Sequence, residues 1–338
     1  MGRDGMNWLK IALAMVSAAG AAACAIWPFS TSESPYVATL EQLTMDRRMD
    51  ELNPVWSPDG RQLYYVRSKS FNSRYEIMVM DADGRHQRRV SDQFPGSAWN
   101  PVLSPDGRSL VFFSNRNANY DIWSMDISGE HIQRLTTSES MELFPAWSPD
   151  GKQVAFISDR SGEIAVWRME KDGGLQEQVT AGGFGDLSPA WSPDGKQLAF
   201  ARRVLGKGNW DEAAIKKTLI EQTLDRFLDL PGRTHVSHLL IQDLATGQVR
   251  QLTSEEAEDG RPAWSPDGKT ILFTSNRNGN RDLYLIDVET GHLRRLTTHS
   301  AEDRYPSWSP DGSQIAFASM RGGSLDIWVL TLQQSPGR

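Results

Sequence analysis

The chain has 338 residues, 39% hydrophobic and 23% charged, a composition that supports a sizeable core and excludes a disordered polymer. Its 36 basic and 43 acidic side chains leave a formal charge of −7 with no basic stripe, which excludes nucleic acid as a partner. A single cysteine, Cys24, excludes an intrachain disulfide, so packing must hold the fold.

Residues 1–30 read as a targeting segment. Arg3 and Lys10 precede an apolar run from Ile11 to Ala23, then come Cys24 and a break at Trp27-Pro28. Thirteen apolar or small residues suit a signal core better than a membrane span of ~20 residues. Ala21-Ala22-Ala23-Cys24 resembles a lipobox, with Ala21 where that box usually has Leu, and makes Cys24 the lipidation candidate. Three readings stay open: a lipoprotein, a secreted protein cleaved near Cys24, and an uncleaved anchor from Trp8 to Trp27. Each places the remainder outside the cytoplasm, and the first and third attach it to a membrane through the N-terminus.

The remainder is a sixfold repeat. Trp56-Ser57-Pro58-Asp59-Gly60 recurs from Leu103, Trp147, Trp191, Trp264 and Trp308, at intervals of 47, 44, 44, 73 and 44 residues. A period of ~40 to 50 residues is that of propeller blades. Within each unit Ser-Pro-Asp-Gly has the residues of a β-turn, and joins a first strand to an apolar second strand such as Gln153–Ile157. A polar turn, as in Ser275–Asn280, leads to a third strand such as Asp282-Leu283-Tyr284, and a fourth ends in Leu-Thr, as at Leu296-Thr297. The sixth unit stops after its third strand near Trp328, while Thr39–Thr44 looks like a fourth strand without a blade. The expected fold is therefore all-β: six four-stranded blades, with the N-terminal strand completing the last one across residues 36–331.

These motifs resemble the repeat of the TolB propeller family, with its Pro-Ala-Trp-Ser-Pro-Asp-Gly start, Phe-x-Ser-x-Arg middle and Leu-Thr end; Pro145–Gly151, Pro189–Gly195 and Pro262–Gly268 carry the start. The resemblance implies protein binding in the cell envelope, with a peptidoglycan-associated lipoprotein or another envelope protein as partner. It does not extend to the family's N-terminal α/β domain. Similar repeats also build the gating propellers of some peptidases, so the repeat alone does not fix function.

Between Val204 and Ser237 an insertion replaces the short turn of blade four. Asn209 with Glu212 forms a helix start, and Ile215, Leu219, Ile220, Leu224, Phe227 and Leu228 follow at helical spacing before Pro231-Gly232. Its apolar face packs on the propeller rim or docks a partner, with Ile215, Leu219 and Phe227 as the docking candidates. An acid stands five residues before the repeat start in five units: Glu51, Glu142, Asp186, Asp259 and Asp303, with Ala98 breaking the series. Placed in the loops entering the innermost strands, these acids form a binding ring at the channel mouth or cap backbone within their own blades. Arg116 with Asp121, Arg277 with Asp282, and Arg321 with Asp326 are expected as ion pairs across hairpins. The six histidines lack metal-ligand spacing, and no nucleophile elbow or phosphate loop occurs. No catalytic residue, cofactor or metal is therefore expected. The rival reading is a carbohydrate lyase or hydrolase with its site in the channel.

Overall fold

The computed structural model describes residues 34–69, 73–182, 185–204 and 236–333. The chain divides into two units, Met1–Thr31 and Ser32–Arg338, and every described residue belongs to the second. Cys24 and the segment carrying Ile215, Leu219 and Phe227 lie outside the described residues.

The described residues form six four-stranded antiparallel sheets. The innermost strands are Asp50–Trp56, Trp99–Leu103, Glu142–Trp147, Asp186–Trp191, Asp259–Trp264 and Asp303–Trp308. Each abuts the next around a ring, and the sixth abuts the first. In the sixth blade Val37–Gln42 pairs with Asp326–Leu332, with Leu40 opposite Leu330 and Gln42 opposite Trp328. The expected closure by the N-terminal strand is present, and it removes the edge that an open last blade would expose.

Second strands read as continuous apolar runs because they lie between neighbouring sheets. Phe112, Phe156, Phe200, Phe273 and Phe317 are fully buried there. Four apolar clusters of such residues form the core, which is distributed around the wheel.

The Ser-Pro-Asp-Gly turn is held by its own side chains. In all six copies the serine hydroxyl donates to the aspartate at 2.5–2.7 Å and accepts from the N–H five residues on at 2.9–3.0 Å. That hydroxyl holds each aspartate below the usual carboxylate range. The glycine has φ of 68–72° and sits against the proline of the preceding blade's turn, with Gly60 against Pro310 closing the circle.

The Leu-Thr ending lies one step beyond the fourth strands, which stop at residues such as Arg134, Gln251 and Arg295. Its hydroxyl accepts the N–H of a third-strand residue at 2.8–3.0 Å in every blade: Ser91 from Ile77, Thr136 from Ile122, Thr180 from Val166, Thr253 from Leu239, Thr297 from Leu283 and Thr44 from Ile327. Thr44, 283 residues before its partner, makes the contact that the other blades make locally. In blade four the second and third strands, Gln197–Val204 and Val236–Asp243, are paired out to Val204 and Val236, so the insertion does leave from this hairpin.

Candidate functional site

Each innermost strand carries a bulge two or three residues before its end, where the register with the second strand shifts. At the bulge stand Asn53, Asn100, Phe144, Ser188, Arg261 and Tyr305, all at φ of 50–55°. Left-handed backbone is uncommon for residues other than glycine, and six copies at equivalent places make it a property of the repeat. A proline follows each one.

All six residues line the central channel, which encloses a cavity of about 350 Å³. The lining runs from this ring through the six prolines and small residues to the indoles of Trp147, Trp191, Trp264 and Trp308. Asn53 Nδ2 donates to Asn100 Oδ1 at 3.0 Å. The Arg261 guanidinium lies 4.3 Å from the Tyr305 ring centre and 4.9 Å from that of Phe144, reaching the innermost strands of blades six and three. Indole N–H groups also stitch neighbouring innermost strands: Trp191 to Ala146 O, Trp264 to Ala190 O and Trp308 to Ala263 O, at 3.1–3.2 Å.

Glu51, Glu142, Asp186, Asp259 and Asp303 lie within the innermost strands, at or next to their first residue, and none lines the cavity. All five are buried. Four of them are bound to an arginine of their own blade: Glu142 to Arg160 at 2.8 Å, Asp186 to Arg202 at 2.6 Å, Asp259 to Arg277 at 2.9 Å and Asp303 to Arg321 at 2.6 Å. The structure thus turns these carboxylates into their blades and away from the channel space. Burial still pushes Glu142 up to about 7, with Arg160 opposing the rise, and it raises Asp303 against Arg321.

This arrangement corrects the expected hairpin ion pairs. Arg277 and Arg321 reach back to the first-strand acids, Asp259 and Asp303, rather than on to Asp282 and Asp326. The third-strand acids are served from outside instead, Asp121 by Arg134 at 2.8 Å and Asp282 by Arg295 at 2.6 Å. Ser275 explains why either choice was open: it stands opposite Asp259 on one side and Asp282 on the other. The Phe-x-Ser-x-Arg motif also gains a physical meaning. The Arg160, Arg277 and Arg321 guanidinia fold back over Phe156, Phe273 and Phe317, while their Nε groups donate to Ser158, Ser275 and Ser319.

Blades one and two depart from the scheme in opposite senses. Blade two has Ala98 in place of the acid, and Arg116 stacks over Phe94 and Trp123, 5.4 Å from each ring centre. Blade one has Glu51, but Lys69 stands at the sequence position of the arginine. Glu51 Oε2 has no hydrogen-bond partner, and burial, with the Asp326 carboxylate nearby, pushes this group up to about 8.

Among the described residues, Asp126, Glu130 and His131 form the one cluster with metal-ligand spacing. His131 Nδ1 lies 2.7 Å from Asp126, and the hairpin of blade one repeats this contact between His86 and Asp81 at 2.6 Å, which identifies a turn device.

The ring before the prolines escaped the sequence reading. Its signal is a variable residue, Asn, Asn, Phe, Ser, Arg or Tyr, before a proline present in all six blades, with the acid and the tryptophan of the frame in five.

Comparison with known proteins agrees with the geometry. Residues 38–229 and 232–337 match the TolB beta propeller domain. The chain is 33% identical over 86 residues to the Tol-Pal system protein TolB of Ruthia magnifica subsp. Calyptogena magnifica, covering 25% of this chain and 20% of that protein. It is 50% identical over 44 residues to the same-named protein of Thioalkalivibrio sulfidiphilus, covering 13% and 10%. The matched stretches thus span a fifth or less of these relatives. The crystal structure of TolB from Acinetobacter baumannii superposes with a TM-score of 0.58 at 25% identity, over 77% of this chain and 57% of that one. An oligogalacturonate lyase in complex with manganese has a TM-score of 0.54 at 15% identity, over 90% and 96%, a likeness of fold alone. The chain belongs to the TolB β-propeller family.

Proposed function

We propose that this chain is an exported, envelope-exposed binding and scaffolding propeller of Tol-Pal type, attached to a membrane through its N-terminus, whose partner is a cell-envelope protein such as a peptidoglycan-associated lipoprotein. The observation that carries the reading is the channel. The repeat frame is nearly constant, yet the position at the bulge carries five different residues in six blades, as expected of a surface selected for recognition. The curated relatives, named as Tol-Pal system proteins, support the envelope setting. The rival reading, a carbohydrate lyase or hydrolase, has less support: the described lining offers Arg261 and Tyr305 but no histidine, lysine or carboxylate to move a proton.

Titration calorimetry of the full chain in detergent against a purified peptidoglycan-associated lipoprotein tests the reading. A Kd of about 10 μM or tighter supports it, and no heat at about 100 μM excludes that partner. Replacing Ile215, Leu219 and Phe227 by alanine weakens the same binding if the insertion docks. Cys24→Ser releases the chain from membranes if the anchor is a lipid.

A further inference from the structure

Where a first-strand acid meets a third-strand acid of the preceding blade, two arginines neutralise the pair. Between blades two and three Asp121 holds Arg134 and Glu142 holds Arg160, both at 2.8 Å. Between blades five and six Asp282 holds Arg295 and Asp303 holds Arg321, both at 2.6 Å. The seam between blades six and one has the same two acids, Asp326 and Glu51, with neither arginine: Gln42 and Lys69 stand at those positions, and Lys69 is exposed. Arg67 holds the place from which Arg202 reaches Asp186, but its guanidinium lies against Glu76 at 3.8 Å.

The backbone brings these two acids together. Glu51 N–H donates to Leu325 O at 2.7 Å, and Ile327 N–H donates to Thr44 Oγ1 at 2.8 Å, so Glu51 and Thr44 meet the last blade on either side of Asp326. The Thr44 side chain hydrogen-bonds with both carboxyls, and the two carboxyls repel each other. Asp46 and Asp50 add negative charge beside them, and Asp50 is engaged by Leu325 N–H at 3.3 Å. Ser324 donates to Asp326 Oδ2 at 3.0 Å.

Two oxygens remain. Glu51 is 2% exposed and Asp326 1%, and Glu51 Oε2 and Asp326 Oδ1 have no hydrogen-bond partner among the described residues. A buried polar atom left in this state is costly. A proton on either oxygen finds no acceptor, and the one O–H of Thr44 serves a single carboxyl at a time. A cation between the carboxylates satisfies both oxygens at once and supplies the two positive charges that a pair of guanidinia supplies at the other junctions.

From this arrangement we infer that the seam is a calcium site, in which one ion bridges Glu51 Oε2 and Asp326 Oδ1, with Thr44 Oγ1 as a neutral third oxygen, and latches the N-terminal strand to the ring. Donors that are all oxygen select a hard cation over zinc or copper. The depth of burial selects calcium over magnesium, which gives up its water shell reluctantly. Neither acid lines the channel, and the site shares no residue with the surface cluster of Asp126, Glu130 and His131. It is independent of any partner that docks on the wheel.

The test uses the full chain in detergent, stripped with a chelator and returned to chelator-free buffer at pH 8.5. Titration calorimetry with calcium chloride gives one ion per chain with a Kd of about 10 μM to 1 mM. At a hundred times that Kd the melting temperature rises by about 3–6 °C. Glu51→Gln and Asp326→Asn each remove most of this rise, whereas Asp126→Asn keeps it. Hydrogen exchange on the wild type needs no variant: calcium slows the Glu51, Leu325 and Ile327 amides at least about threefold more than the Ile122 amide, its counterpart in blade two. No saturable calcium uptake up to about 10 mM overturns the inference. So does a rise that survives Glu51→Gln or vanishes with Asp126→Asn, or an equal rise with magnesium at the same concentration.

Discussion

Glu51→Gln is the substitution that most directly tests the electrostatics of the blade scheme. Glu51 is buried to 2% exposure and lacks the arginine that serves its counterparts. Around it stand Asp326 from the last blade, Asp46, the Thr44 side chain and Arg67. The carboxyl is pushed from 4.5 up to about 8, first by burial and second by Asp326. Taken in full, that displacement corresponds to about 5 kcal/mol of preference for the protonated form, and relaxation with water entry reduces it to about 2–3 kcal/mol. The native carboxyl keeps its proton above the pH at which the unfolded one releases it. Stability therefore falls as pH rises from 4.5 to about 8, and is level beyond that. Glutamine keeps the shape and does not titrate. The melting temperature of the variant minus that of the wild type, followed by circular dichroism, rises by about 4–6 °C between about pH 5 and about pH 8. A difference that stays constant across that range refutes the reasoning. Asp326→Asn makes the wild-type slope shallower, because it removes the second cause.

Asp186→Asn gives the opposite result, losing about 2–4 kcal/mol near neutral pH in chemical unfolding, because it leaves the Arg202 guanidinium without its anion. Thr44→Val removes the acceptor for the Ile327 N–H and costs about 1–2 kcal/mol; hydrogen exchange at Ile327 accelerates more than at Ile122, whose acceptor Thr136 is intact. Trp191→Phe destabilises more than Trp147→Phe by about 1 kcal/mol in urea unfolding, since the Trp191 indole donates to Ala146 O whereas Trp147 Nε1 has no partner.

Much of the fold was legible because its signals are local. Ser57 to Gly60 specifies a turn through contacts no more than five residues apart, and five more copies fix the phase of the wheel. Closure was legible for the same reason: Leu43-Thr44 has the ending that other blades carry, so its absence after Trp328 pointed to it. The ion pairs were not legible. Arg277 and Asp282 are close in sequence, but the choice between Asp282 and Asp259 depends on Arg295, which arrives from the outer strand and occupies the first. A pairing decided by a third residue leaves no trace in the spacing of two. The channel ring was hidden for another reason. Arg261 and Phe144 are 117 residues apart, and their stacking exists only after the wheel closes.

The two acids without an arginine occupy one place in the fold. In the outer layer arginine appears where a third-strand acid needs it, as with Arg89 and Glu76, Arg134 and Asp121, and Arg295 and Asp282. Glutamine takes the position where that acid is missing: Gln178 in the blade of Ala165, and Gln251 in the blade of His238. The last blade breaks this rule, since Gln42 faces a blade that has Asp326, and burial pushes Asp326 up to about 6. Glu51 breaks the inner rule in the neighbouring blade. Both exceptions meet where the N-terminal strand joins the ring, with Glu51 N–H bonded to Leu325 O and Leu325 N–H to Asp50. The closure is thus well made in its backbone and poorly compensated in its charges. A rise of pH through about 8 weakens this seam more than the junctions whose inner acid is paired with arginine, so opening, when it comes, starts where the N-terminal strand joins the ring.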